Sequence, residues 1–366
     1  SDVCSSDLNS VLVSVTKDVM AEGTDQVLGQ IRYHYIDDGS SSANACSTIV
    51  TIGVGTAMSV EDYDIISEAI VTTPLSSLIV IITDPNPGRP IKLSSTDYAA
   101  LTNAIHTQLL DGTLIPGLCG TGSAMKEDNN NTDDESDKEF VFLIGGHSAS
   151  GQAALQAAQE NLYDPTPDGF VGLDPYEISD KTMEEGTKYP FPTLDWGFSK
   201  TTCFVNKNKA ALGAYERSSP GILYTLDNNN NGMTHCVFTD DGCGALGITV
   251  CPNADPLKFE YVYQSVGASI QLFVDAIRNR ELFDQSDYFE LPVTTSGQAA
   301  LSVNSASDDQ LQGHYNATSA NNDSIDNATG SSSSGTTTTY HSRSMLQYII
   351  IGVSMISALV IGGWVI

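Results

Sequence analysis

The sequence predicts an α/β fold with a mostly parallel central sheet and helices on both faces. Three observations predict it. Apolar, β-branched runs alternate with amphipathic helical stretches, the pattern of a sheet whose strands are buried on both sides. The run Phe140-Val-Phe-Leu-Ile-Gly-Gly-His-Ser-Ala-Ser-Gly151 goes from strand to glycine turn to the helix-forming Gln-Ala-Ala-Leu-Gln-Ala-Ala that follows. Near Leu291 the composition turns to Ser, Thr, Asn, Gly and Asp with few aromatics, which cannot build a core.

The elements follow in order. Gln30 to Ile36 alternates like an early antiparallel strand, and Ser47 to Val54 reads as a buried strand leading into Gly55-Thr56-Ala57-Met58. Asp62 to Val71 has helical spacing. Leu78 to Ile82 is the next central strand, stopped by Asp84-Pro-Asn-Pro-Gly88. Ser95 to Leu110 is a helix with a Ser/Thr/Asp-rich start suited to capping. After the strand Phe140 to Ile144, Gly169 to Leu173 forms a short strand ending at Asp174-Pro175. Thr201 to Val205 and Ile222 to Leu226 are expected as the last strands. Tyr261 to Arg278 closes the globular part as a helix with Val262, Val266, Ile270, Phe273 and Ile277 on one face.

The expected organisation is residues 1–8 as the translated remnant of a sequencing adapter, 9–290 as the folded domain, 291–345 as a polar linker, and 346–366 as an apolar tail. If 1–8 is such a remnant, any signal peptide is missing from this sequence. The tail carries no charge and is long enough to span a bilayer. No Lys or Arg follows it, and Ser333-Ser-Gly335 with a polar spacer to Met345 precedes it, matching a glycolipid (GPI) anchor signal; a transmembrane helix is the other reading of the same tail.

The 366 residues carry 45 acidic and 16 basic side chains, a formal charge of -29, which excludes a nucleic-acid partner because no basic stripe is present to neutralise phosphates. The acidic stretch 126–139 reads as a solvated loop without ordered calcium-ligand spacing. Setting Cys4 aside leaves Cys46, Cys119, Cys203, Cys236, Cys243 and Cys251, an even number that suits disulfides in an oxidising compartment, with Cys243–Cys251 the expected local pair. Sequons at Asn130, Asn316, Asn322 and Asn327 point to glycosylation and hence secretion, so the expected location is extracellular or the cell surface, tethered to membrane through the tail.

The order strand, Gly55-Thr56, helix, strand, Asp-Pro-Asn-Pro-Gly, helix, Gly146-His-Ser-Ala-Ser-Gly151, Leu173-Asp-Pro175 and then a histidine resembles the α/β-hydrolase superfamily over residues 28 to 285. Within it, the chain resembles the branch of chlorophyllases, cutinase-like polyester hydrolases and platelet-activating-factor acetylhydrolases. The resemblance implies an α/β-hydrolase fold in which Ser148 is a nucleophile on a sharp strand-to-helix turn. The motif departs from G-x-S-x-G at its last position, Ser150, with Gly151 one residue later. That fold delivers serine, acid and histidine in chain order. The order excludes His34 and His106, the polar tail excludes His314 and His341, and the side chain of His147 is expected to point elsewhere on the turn. His235 is left as the base. Asp174 is the implied acid, with Asp195 and Glu216 as alternatives that do not directly follow an expected strand. The implied oxyanion donors are the backbone N–H groups of Ala149 and Thr56, with Ala57 as the alternative to Thr56 and Val54 where the family usually has histidine.

These residues imply a carboxylic ester hydrolase working through an acyl-enzyme on a small-molecule or lipid ester, with no cofactor and no metal. A noncatalytic recognition protein on the same fold, or a peptidase or thioesterase with the same triad, are the alternatives.

Overall fold

Side chains along a strand point alternately to opposite faces of its sheet, so the central strands here build two separate cores. The computed structural model describes residues 11–37, 47–72, 78–89, 94–115, 140–176, 188–200, 210–218, 220–227, 233–240, 243, 251, 258–279 and 285–304. On β3 (Thr48–Gly53), β4 (Leu78–Asp84), β5 (Val141–His147) and β6 (Gly169–Leu173), the residues Ile49, Ile79, Ile81, Phe142, Ile144 and Phe170 join one apolar cluster. Their neighbours Val50, Ile52, Val80, Ile82, Leu143 and Val171 join the other. Helices α2 (Ser95–Leu110) and α3 (Ser148–Gln159) cover the first; α1 (Asp64–Val71) and α5 (Glu260–Asn279) cover the second. A short α4 (Ala210–Arg217) lies between β7 (Thr193–Phe198) and β8 (Gly221–Leu226) in sequence.

Among the described residues the sheet has nine strands in the order β1-β2-β4-β3-β5-β6-β7-β8-β9, where β1 is Val11–Met20, β2 is Val27–Asp37 and β9 is Ala299–Asn304. The run from β4 to β8 is parallel, while β1, β2 and β9 pair antiparallel at the edges. An antiparallel start, a crossover that puts β3 inside β4, and a parallel run carrying the strand-to-helix turn after β5 make this an α/β-hydrolase fold. The parallel strands all end on one side, where the loops after them gather, the place where open α/β sheets bind ligands.

The expected elements and the observed ones agree closely along the centre. The helix at 95–110 starts at a Ser94 cap that accepts from the Asp97 N–H at 3.2 Å. The five residues expected on one face of the last long helix are all buried in α5. Three differences stand out. The expected strand 201–205 lies outside the described residues, and Thr193–Phe198 forms a strand that the sequence reading passes over. Val11–Met20 adds an edge strand that the sequence reading passes over. The folded domain does not stop at 290: after α6 (Gln285–Phe289) and α7 (Pro292–Thr295), Ala299–Asn304 pairs along the whole of β8. Backbone pairing is indifferent to side-chain polarity, so a segment of weak composition can still complete an edge.

The chain divides into Ser1–Ser319 and Ala320–Ile366, and the described residues all belong to the first unit. Among them no helix is long and apolar enough to cross a membrane; the tail 346–366 lies outside them.

Candidate active site

The strand-to-helix turn is built on two glycines that nothing larger could replace. A Cβ on Gly146 would sit 2.5 Å from the Gly151 nitrogen, and one on Gly151 would sit 2.7 Å from both the Gly146 oxygen and the Pro175 Cβ. Between them Ser148 stands at φ 53, left-handed backbone that costs a non-glycine residue on the order of 1–3 kcal/mol. The departure from the expected motif is accommodated across the sheet. Ser150 is buried, and its hydroxyl donates to the Val54 carbonyl at 2.5 Å. A Cβ on Gly53 would lie 2.4 Å from the Ser150 Cβ, so the glycine absent from the turn stands on β3 instead.

Asp174 and His235 meet across 61 residues of chain. Asp174 follows β6 at φ 44, its N–H bonded to the Trp196 carbonyl at 2.7 Å. The next loop residue but one, Tyr176, donates its N–H to the Ser148 carbonyl at 2.7 Å, which joins the Asp174 loop to the turn. His235 opens the short 3₁₀ turn His235–Phe238, capped by the Thr234 hydroxyl, and its Nδ1 is 2.7 Å from Asp174 Oδ2. A carboxylate there fixes Nδ1 as the proton carrier and leaves Nε2 as the acceptor nitrogen of the neutral ring.

The alternative acids are placed elsewhere. Asp195 is buried in the middle of β7, where burial pushes its carboxyl well above the usual range against one hydroxyl bond from Thr193. Glu216 is exposed near the end of α4.

The loop after β3 lies against the turn. Its Gly55 is packed so closely on the His147 ring that a Cβ would come 2.9 Å from Nδ1. Thr56 is exposed on this loop, and Ala57 beside it has φ 62. Ala149 is in the first turn of α3, where an N–H has no acceptor within its helix.

Backbone strain gathers at these loops. Of the five described non-glycine residues with positive φ, Asn161 ends α3, while Ala57, Ser148, Asp174 and Cys243 stand on the four segments just described or bonded to them. Cys243 corrects an expectation: it pairs with Cys236, not Cys251. The left-handed Cys243 and the bond from its N–H to the Thr239 hydroxyl fold the chain back within seven residues, and Cys251 is disulfide-bonded elsewhere. The three sulfurs lie within 4.8 Å of one another, but disulfide sulfurs do not hold a metal as thiolates do. Cys46, Cys119, Cys203 and the sequons at Asn130, Asn316, Asn322 and Asn327 lie outside the described residues.

Two sets of contacts have no expectation in the sequence. Asp240, just after the 3₁₀ turn, accepts from the Asp64 and Ile65 N–H groups at 2.9 and 3.0 Å and so caps α1; burial raises its pKa to about 6. The ring of His147 packs against that of His235, centroids 4.3 Å apart, and bonds to Tyr63. No local pattern announces either contact.

No protein-family model matches the sequence, and no curated protein does. Among solved structures, the chain is similar to the peroxisomal alpha-beta-hydrolase Lpx1 from Saccharomyces cerevisiae, at 11% identity and TM-score 0.42 over 72% of this chain and 89% of that one. It is similar to Est1E from Butyrivibrio proteoclasticus, at 11% identity and TM-score 0.40 over 71% and 99%. A third similarity is to Thermogutta terrifontis esterase 2 phosphonylated by cyclosarin, at 13% identity and TM-score 0.43 over 71% and 94%.

Proposed function

We propose that this chain is a serine hydrolase that opens carboxylic esters through an acyl-enzyme, with Ser148 as nucleophile, His235 as base and Asp174 as the acid that orients it. The observation that carries the reading is the 2.7 Å contact between His235 Nδ1 and Asp174 Oδ2, made beside a serine held at left-handed φ where a strand turns into a helix. In this reading His235 Nε2 takes the Ser148 proton as Oγ attacks the ester carbonyl, and Asp174 stabilises the imidazolium that forms. The oxyanion is met by the N–H groups of Ala149 and Thr56, each worth about 10²–10³ in rate. Collapse expels the alcohol with the proton from His235, and water then releases the acid by the same steps in reverse.

Turnover of p-nitrophenyl butyrate by the full chain, beside Ser148→Ala and His235→Ala, tests this. Equal rates in all three would sink it and leave a noncatalytic recognition protein on a hydrolase fold. Within the class, Leu173-Asp174-Pro175 favours the branch of chlorophyllases, cutinase-like hydrolases and platelet-activating-factor acetylhydrolases. A panel of chlorophyll, polyester and acetylated phospholipid substrates would rank them.

A secreted, surface-tethered setting fits the Cys236–Cys243 disulfide and the sequons. Release from cell membranes by a phosphatidylinositol-specific phospholipase would mark the tail as a lipid-anchor signal; retention would mark it as a membrane span.

A further inference from the structure

We infer that Tyr63 and His147 are positioning residues that tie the loop bearing Thr56 to the backbone of His235, so that oxyanion donor and base are held in one register. The inference rests on the esterase reading of Ser148.

Donor and acceptor logic fixes the direction of every bond in this chain. His147 Nε2 lies 3.2 Å from the His235 carbonyl oxygen. A carbonyl can only accept, so Nε2 carries the proton. Burial, with His235 alongside, holds the His147 pKa well below the usual range, more than the carbonyl bond restores, and the ring is neutral. Its Nδ1 is therefore a bare acceptor. The Tyr63 hydroxyl lies 2.8 Å from it and donates there. Met58 Sδ, 3.2 Å from the same hydroxyl, is a far weaker acceptor than an imidazole nitrogen. The Tyr63 oxygen in turn accepts the Gly55 N–H at 2.8 Å. The path runs Gly55 N–H to Tyr63 O–H to His147, and His147 Nε2–H to the His235 carbonyl, with one proton per link.

The ends of that path are the point. Gly55 precedes Thr56, and His235 is the base. Tyr63 itself ends the 3₁₀ turn Val60–Tyr63 just before α1, whose first N–H groups are capped by Asp240 from the base's own loop. The base loop thus docks twice on one segment, through Asp240 at the surface and through His147 and Tyr63 inside. A buried Tyr–His pair that only filled space would not need to end on these two backbones. The neutral state matters as well, since a second positive charge stacked on His235 would oppose the imidazolium formed during reaction.

The test uses the full chain with p-nitrophenyl butyrate, counting sites by fluorophosphonate labelling to completion and reporting kcat per labelled site. Tyr63→Phe keeps the ring and cuts both bonds: kcat falls tenfold or more with KM within twofold. His147→Phe keeps a ring against His235 without a donor and falls as far. His147→Gln restores an N–H near the Nε2 position and recovers to within threefold of wild type. A lower melting temperature with unchanged kcat per site in Tyr63→Phe and His147→Phe would overturn the inference, as would His147→Gln being as slow as His147→Phe. Ser148→Ala as active as wild type would instead remove the esterase reading, and this inference with it.

Discussion

At the carboxyl ends of the parallel strands His235 Nδ1 lies 2.7 Å from Asp174 Oδ2, beside the turn that carries Ser148; at the antiparallel edge Ser14, His34 and Asp64 come together, with His34 Nδ1 2.9 Å from the Ser14 hydroxyl and Nε2 3.6 Å from Asp64. The residue types are identical and the settings are not. Ser14 sits in regular strand register opposite His34, on exposed β1, with no helix start beneath it to supply N–H groups. Asp64 already gives both carboxylate oxygens to Arg32, at 2.6 and 2.8 Å, and its 3.6 Å approach to His34 is beyond hydrogen-bond range. Asp174, by contrast, bonds His235 directly, and Ser148 opens α3 from a strained turn. In the proposed reading, what separates the reactive constellation from the structural one is an acid committed to the histidine and a serine presented by its backbone.

The sharpest way to break that contrast is at the serines. Ser148→Ala should lower ester turnover by about 10⁵–10⁶, the scale of removing a triad nucleophile, and Ser14→Ala should leave kcat/KM within twofold. A fluorophosphonate label recovered on the Ser14 peptide would reverse the assignment. Next come the acids: Asp174→Asn should cost about 10⁴ in kcat through the wrong histidine tautomer, while Asp64→Asn leaves kcat unchanged.

The histidine at the second site should show itself in stability. Burial lowers the His34 pKa to about 4, with Asp64 opposing and Arg32 assisting. Below the unfolded value of 6.5 the unfolded chain takes up a proton that the fold excludes, so stability falls as pH falls between 6.5 and about 4. His34→Gln should shrink the loss between pH 7 and 5, measured by urea unfolding, by about 2 kcal/mol. An undiminished loss would mean that His34 does not supply it. The smallest effect belongs to the partly exposed ion pair: Arg32→Gln should cost about 0.5–1 kcal/mol, seen as a melting point about 2 °C lower.

The turn at Ser148 and the contact between Asp174 and His235 are legible in the sequence because each residue sits where chain order and a local pattern agree: a glycine turn, a strand ending in Asp-Pro, a histidine after the last parallel strand. Thr193–Phe198 is not legible, because Asp195 and Gly197 interrupt its apolar run, and only the fold shows Asp195 buried within the sheet. Ala299–Asn304 is hidden by its composition, since what recruits it is the open edge of β8. The Cys236–Cys243 pairing depends on one left-handed residue, and the bond from His147 to Tyr63 spans 84 positions, which no window along the chain can register.

Gly53 and Ser150 constrain the order in which this sequence can change. With Ser150 in place, no side chain fits at 53; with glycine at 150, the contact that forbids it disappears on that side, although Tyr98 still stands 2.6 Å away. A lineage could acquire Ser150 only on a background that already had glycine at 53, and could leave that glycine only by giving up the serine first. The two positions, one at the end of β3 and the other in the first turn of α3, form a ratchet: each substitution is permitted or forbidden by history, and neither can be judged by the motif that contains it.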